Sequence, residues 1–436
     1  MYLRTKWKIT DKNTYKLYYE YALGVLAGVL VFRVYATPLI FLFILLSVLF
    51  YNQIKYSRKS LLPIFIISLP LLLNIVFIWN NDSLYEGIKQ LEKYSTCLFF
   101  PLLLLFQPFK ISINKVFRAY SIVFTSILVV CFFLHFLTQY DLFVKYINGE
   151  LVWQMGYNFA LSMELHAPAL NMHVAFLVIV NLYLLLSYYL KKKSSKLLAF
   201  RVIIFLVSVL ILLFINTRIA IVNAFIGIVL VSSLVIYNHM PKKKALKIIS
   251  LITGTIIVIS LSFILLFPYV IKKYSKLTFK HMDKIGQLDT FENPEAEVYS
   301  ALVTRVSIWK TTVDVISSNV IFGVGCADGK KELIKAYKQT NQKFLAKYEF
   351  PVHNQYLDFF LKFGIFGFLA VNLYIFYPLY IFKKGRKPYV LFFFILFFTS
   401  NLTDDFLVRY DGIVFSALWV SIFSNNAFSS REINEG

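Results

Sequence analysis

Long apolar runs separated by short polar turns recur along the chain, and their lengths suit helices. A helix crossing a hydrocarbon core of about 30 Å needs about 17–25 residues, and shorter runs are tolerated where flanking side chains snorkel. On that measure the pattern predicts spans near 21–36, 37–51, 61–79, 94–108, 119–138, 168–190, 198–216, 219–237, 248–270, 355–382, 389–403 and 411–424. The expected fold is an all-α integral membrane protein with about 12 transmembrane helices in one membrane-embedded domain. Helices one to nine occupy 1–270, one large outer loop 271–352, and helices ten to twelve 353–436.

Composition agrees. Of 436 residues, 58% are apolar and 16% charged, with a mean hydropathy of +0.67. A soluble domain carries about 45–50% apolar and about 25% charged residues, so soluble globular and disordered classes are excluded. The net charge of +22 would suggest nucleic acid in a soluble chain. Here 25 of the 45 basic residues fall in alternate short segments: 4–16, 55–59, 110–118, 191–201, 242–247, 383–387 and Arg431. The other segments, outside the large loop, hold only Lys89, Lys93, Lys145, Arg218 and Arg409. The positive-inside rule then puts both termini in the cytoplasm, and no nucleic-acid partner is implied. The polar first 20 residues lack a cleavable signal, so helix one is expected to be both targeting signal and first span. Cys97 and Cys131 fall in predicted helices and Cys326 in the loop, which implies no disulfide framework.

The large loop holds 13 basic and nine acidic residues, and long loops translocate regardless of charge. Val306, Ile308, Trp309, Val313 and Ile316 recur at near-helical spacing, as do Leu333, Ile334, Tyr337, Phe344, Leu345 and Tyr348. They predict two amphipathic helices resting on the bundle or on lipid headgroups. Between them, Phe322-Gly323-Val324-Gly325-Cys326-Ala327-Asp328 reads by itself as turn chemistry. Asn216-Thr217-Arg218 interrupts an apolar stretch, either as a hairpin turn with a snorkelling arginine or as a cation awaiting an anion. Pro351-Val352-His353-Asn354 closes the loop. An imidazole at a helix mouth can accept a proton from a hydroxyl or can be simply structural. Asp358 lies too far round the helix to orient it.

Those residues are recognisable together. His353-Asn354, nine intervening residues, then Gly364-Ile365-Phe366-Gly367 resembles the histidine signature of the O-antigen ligase family, membrane enzymes that complete lipopolysaccharide. Arg305, Trp309 and Phe322 to Gly325 look like the loop pattern preceding that histidine, and Arg218 sits where family members carry a hairpin arginine. The resemblance covers roughly residues 200–380. It implies a bacterial inner-membrane enzyme with a periplasmic active site, moving a glycan from undecaprenyl diphosphate to a sugar hydroxyl of the lipid A core. The reaction would be inverting and metal-independent, without a cofactor. His353 would be general base, and Arg218 and Arg305 would bind the donor diphosphate. Gly364 and Gly367 would serve close helix packing.

Secondary candidates are Asn354, Trp309, Lys89, His166 and His173. The histidines could line the acceptor cleft, and Lys89 and Lys93 could meet phosphate or stand in a solvated loop. Asp404, Asp405, Arg409 and Asp411 read as a hydrated turn with local ion pairs. A lipid-linked polysaccharide polymerase of the same superfamily is the alternative function. A 12-helix transporter fits less well, because the long insert follows helix nine and not helix six.

Overall fold

A computed structural model describes residues 12–49, 58–148, 150–151, 154–251, 253–254, 281–298 and 301–428. The predicted ninth span over 248–270 lies largely outside these residues, as does the boundary at 270/271. The described residues form helices and no strand.

In chain order the principal helices are α1 (Lys12–Val29), α2 (Arg33–Leu49), α3 (Leu61–Val76), α4 (Leu84–Tyr94), α5 (Thr96–Leu105), α6 (Ile113–Thr138), α7 (Tyr140–Ile147), α8 (Met155–Leu161) and α9 (Ala167–Leu190). They continue as α10 (Ser195–Ile215), α11 (Arg218–His239), α12 (Ala301–Ser317), α13 (Gly329–Gln339), α14 (Gln355–Gly385), α15 (Pro388–Thr403) and α16 (Tyr410–Phe428). Among the described residues, six helices are long and apolar enough to cross a membrane: Arg58–Val76, Ile113–Thr138, Ala167–Leu190, Ser195–Ile215, Arg218–His239 and Gln355–Gly385. Arg33–Leu45 and Pro388–Thr403 are apolar but shorter.

Two expectations shift. The predicted spans 21–36 and 37–51 are α1 and α2, and the chain turns at residues 30–32. The polar start of α1 is helical because the bundle satisfies it: Glu20 is fully buried, accepts from the Ser112 N–H at 2.7 Å and pairs with Lys115 at 3.0 Å. The predicted span 94–108 holds only the ten-residue α5, with amphipathic α4 ending at its first residue. Ten residues of helix rise only about 15 Å, too short for a conventional crossing.

α9 and α16 occupy the centre. Fourteen residues of α16 are buried, and its Trp419 packs edge-on or tilted against Phe117, Tyr120 and Phe176. Around them α1 packs on α6, α10 and α11 on α9, and α14 on α15. In lipid this close fit replaces the hydrophobic effect as the source of helix association.

The amphipathic helices expected in the large loop are α12 and α13. Their apolar faces close on each other and on α14, with Ile308, Ile316, Leu333, Tyr337, Leu345 and Leu361 in a second core. Leu361 belongs to α14, so this layer is fastened to the first turns of that helix.

Candidate active site

α14 is two helices end to end. Gly364 breaks it at φ 61°, ψ −150°, and the segment between α12 and α13 fills the break. Val324 and Gly325 donate their N–H groups to the carbonyls of Leu361 (2.9 Å) and Lys362 (3.0 Å), while Ile365 N–H donates to Val320 O at 2.8 Å. A Cβ on Gly323 would stand 2.5 Å from the Lys362 carbonyl carbon, and one on Gly364 would stand 2.1 Å from Ile321 O. The two glycine motifs of the sequence are therefore the halves of one joint, a closer role than turn chemistry or helix packing alone. On the segment's other side Asn80 donates to the carbonyls of Phe322 and Gly323, Asn81 accepts from Ala327 N–H, and buried Asp328 accepts from Asp82 N–H.

The joint fixes the short helix over 355–363, whose start carries His353. Asn354 caps it, with Oδ1 accepting from Tyr356 N–H (3.0 Å) and Leu357 N–H (3.1 Å). The same side chain donates through Nδ2 to Leu402 O at 3.1 Å, tying the cap to the end of α15. Trp309 donates from its indole to Val352 O at 3.0 Å, which locks the preceding residue. His353 itself adopts a left-handed backbone, φ 52°.

Its ring meets the acids after α15. Nδ1 lies 3.3 Å from Asp404 Oδ1 and 3.8 Å from Asp405 Oδ1. Arg409 Nη2 reaches the same oxygens at 3.5 and 3.7 Å, and its Nη1 contacts His166 Nδ1. The expectation of a hydrated turn is corrected here: Asp404 and Asp405 are 7% and 4% exposed. Burial pushes the Asp404 carboxyl up, but bonds from His353 and the Asp405 N–H, together with Arg409, hold it well below the usual carboxylate range. Burial and the adjacent Asp404 raise Asp405. An ionised Asp404 accepts from Nδ1–H of His353, which leaves Nε2 with a free lone pair at a ring that is 19% exposed. His166 is lowered to about 4 by burial and by Arg409, and remains neutral at physiological pH.

His166 precedes α9, on which His173 Nε2 lies 3.3 Å from Asp411 Oδ2. Asn171 of α9 donates to Thr217 Oγ1 at 2.8 Å, which brings the start of α11, with half-buried Arg218 as its first residue, to this end of the bundle. Arg305 is half-buried one turn before Trp309 and shares its face of α12; it makes no ion pair among the described residues. Lys89 stands apart: it is half exposed, pairs with Glu86 at 2.9 Å and covers the Tyr85 ring. Lys93 turns inward instead, where burial and the nearby Lys362 lower its pKa. Below His353, Lys362 bonds Asp358 at 2.7 Å, and Gln355 links Asp358 to the Leu407 N–H. Asp358 thus serves Lys362 and not the histidine.

Residues 203–371 match the family model described as O-antigen ligase. Over that stretch the chain is similar to the O-antigen ligase family. A protein of Haemophilus influenzae described as uncharacterized is 26% identical over 313 residues, 70% of this chain and 69% of its own length. The O-antigen ligase match spans Arg218, Arg305, Trp309, the glycine joint, His353 and Asn354, and stops before Asp404, Asp405 and Arg409. Sequence reasoning missed these three because partners about 50 residues away carry no spacing rule. The available signal was a pair of acids ending an apolar helix in a chain with only 23 acidic residues.

His353, Asp404 and Asp405 could together hold a metal ion, since their ligand atoms lie within 4.8 Å of one another. Arg409 already places a cation beside both acids. The arrangement suits abstraction of a proton from a hydroxyl: a carboxylate fixes the imidazole tautomer and stabilises the imidazolium that forms. Asp404→Asn should therefore lower the turnover rate by about 10²–10⁴ with little change in KM. Asp405→Asn replaces a carboxyl that burial already favours protonated and should stay within about twofold. Steady-state kinetics of the two variants at neutral pH tests the distinction.

Proposed function

We propose that the protein is an O-antigen ligase, joining a glycan carried on undecaprenyl diphosphate to a sugar hydroxyl of the lipid A core at the periplasmic face of the inner membrane. The observation carrying this reading is the His353 ring, with Nδ1 held by buried Asp404 and Nε2 left to meet an acceptor hydroxyl. Nε2 takes the hydroxyl proton as the oxygen attacks the anomeric carbon. The bond from that carbon to the diphosphate oxygen breaks, and direct displacement inverts the centre. Negative charge grows on the departing diphosphate, where guanidinium groups from Arg218 and Arg305 would bind oxygens with paired donors. The chemistry needs no metal when these cations are in place, so transfer is expected to continue in EDTA.

A polymerase would join lipid-linked repeats to each other and share this chemistry. Mass analysis of glycans from a deletion strain separates the two. Long polymers stranded on undecaprenyl diphosphate support the ligase; stranded single repeats sink it. Arg218→Lys and Arg305→Lys keep the charge but lose the planar fork, and each should reduce transfer by about 10²-fold. Activity equal to wild type in both variants would remove the arginines from the donor site.

A further inference from the structure

At the other end of the bundle two guanidinium groups flank one aromatic ring. Arg118 of α6 and Arg201 of α10 lie 5.3 and 5.2 Å from the centroid of Tyr188 on α9. Tyr188 stands 22 residues beyond His166, roughly 33 Å along the helix at 1.5 Å per residue. The depth matches the opposite headgroup level of a bilayer.

Arg201 is 3% exposed, and its one hydrogen bond runs from Nη1 to Ser121 Oγ at 3.2 Å. The Ser121 hydroxyl is committed in turn to Asn181 Oδ1 at 2.6 Å. Arg201 Nε, Arg118 Nε and Asn181 Nδ2 are all buried without a partner. Among the described residues neither arginine has a carboxylate, and the nearby acid of this face, Glu20, is taken by Lys115 and Ser112. The cluster therefore presents buried N–H donors and two cations, with no carboxylate paired to them among the described residues. A buried cation without a counter-charge is strongly disfavoured unless an anion completes it. Exposed Lys191, Lys192 and Lys193, on the turn from α9 to α10, and Lys196, in the first turn of α10, add attraction for anions approaching from this side.

We propose that Arg118, Arg201 and Asn181 form a phosphate-binding site between α6, α9 and α10, on the face opposite His353. Its ligand chemistry is a phosphate group, supplied by an anionic phospholipid headgroup of that leaflet or by free phosphate. The anionic oxygens of such a ligand are acceptors, and one phosphate can bridge two guanidiniums by charge-assisted bonds.

The test uses the full-length protein purified in detergent, with lipid retention read by native mass spectrometry and stability by thermal unfolding. Phosphatidylglycerol is expected to be retained and to raise the unfolding temperature, while phosphatidylcholine does neither. A rise produced by inorganic phosphate, with nothing added by phosphatidylglycerol, would identify free phosphate as the source. Arg118→Gln and Arg201→Gln should each weaken binding about fivefold, and the pair about 25-fold. Should buried Arg201 prove necessary for folding, Arg118→Gln alone carries the test, because Arg118 makes no hydrogen bond among the described residues. Equal response to the two lipids with none to phosphate, or full binding by the Arg118→Gln variant, would overturn the site.

Discussion

Replacing His353 with alanine is expected to lower glycan transfer by about 10²–10⁴, the contribution of a positioned general base. The substitution leaves the cap intact, since Asn354 holds Tyr356 and Leu357 through its own side chain. It also leaves Trp309 bonded to a backbone carbonyl. The backbone at 353 is left-handed, where alanine is strained by about 1–2 kcal/mol and asparagine is tolerated. His353→Asn is therefore the cleaner variant, keeping the turn while removing the base. Both variants should insert and purify like wild type, with inactivity measured on defined donor and acceptor lipids. Near-normal turnover by His353→Asn would refute the general-base role.

The second large effect is structural. Gly364→Ala is expected to destabilise the protein by about 3 kcal/mol or more and to abolish transfer with it. The observed φ 61°, ψ −150° lies in a region open essentially to glycine, at a cost of about 1–3 kcal/mol for other residues. A methyl group there would also overlap Ile321 O at 2.1 Å, pushing the 320–325 segment away. Val324 and Gly325 would then lose the Leu361 and Lys362 carbonyls, and buried polar groups left unpaired cost about 1–3 kcal/mol each. Thermal unfolding of the detergent-solubilised variant, with limited proteolysis near residue 322, would register the loss. An unchanged transition temperature would show that the joint is dispensable.

The pattern of apolar runs located α3, α6, α9, α10, α11, α14 and α15 to within a few residues at most ends. It misplaced α1 and took the short α5 for a full span. Hydropathy cannot register that Glu20 is neutralised by Lys115 from another helix, so the polar half of α1 looked like a tail. Nor can it register that the chain from Leu84 to Leu105 uses one helix on the surface and a short one inside. At the site, the histidine, the asparagine and the two glycine pairs were legible because each lies within a short motif. The acids and Arg409 were not, because only folding brings α15 and the turn after it beside the start of α14. Asn354 was legible as a letter of the motif, while its bond to Leu402 was not.

That one asparagine acts as a hinge pin common to two helices. When a bilayer thickens or thins, helices tilt and slide, and the separation of groups carried on different helices drifts. Because Asn354 fastens the start of α14 to the end of α15 within one residue of His353 and two of Asp404, the imidazole and its carboxylate ride together through such movement. The Trp309 bond to Val352 O carries α12, and with it Arg305, on the same unit, and the bonds between Asn223 and Thr399 tie α11 to α15. A change of membrane thickness should then leave the proton-transfer unit calibrated.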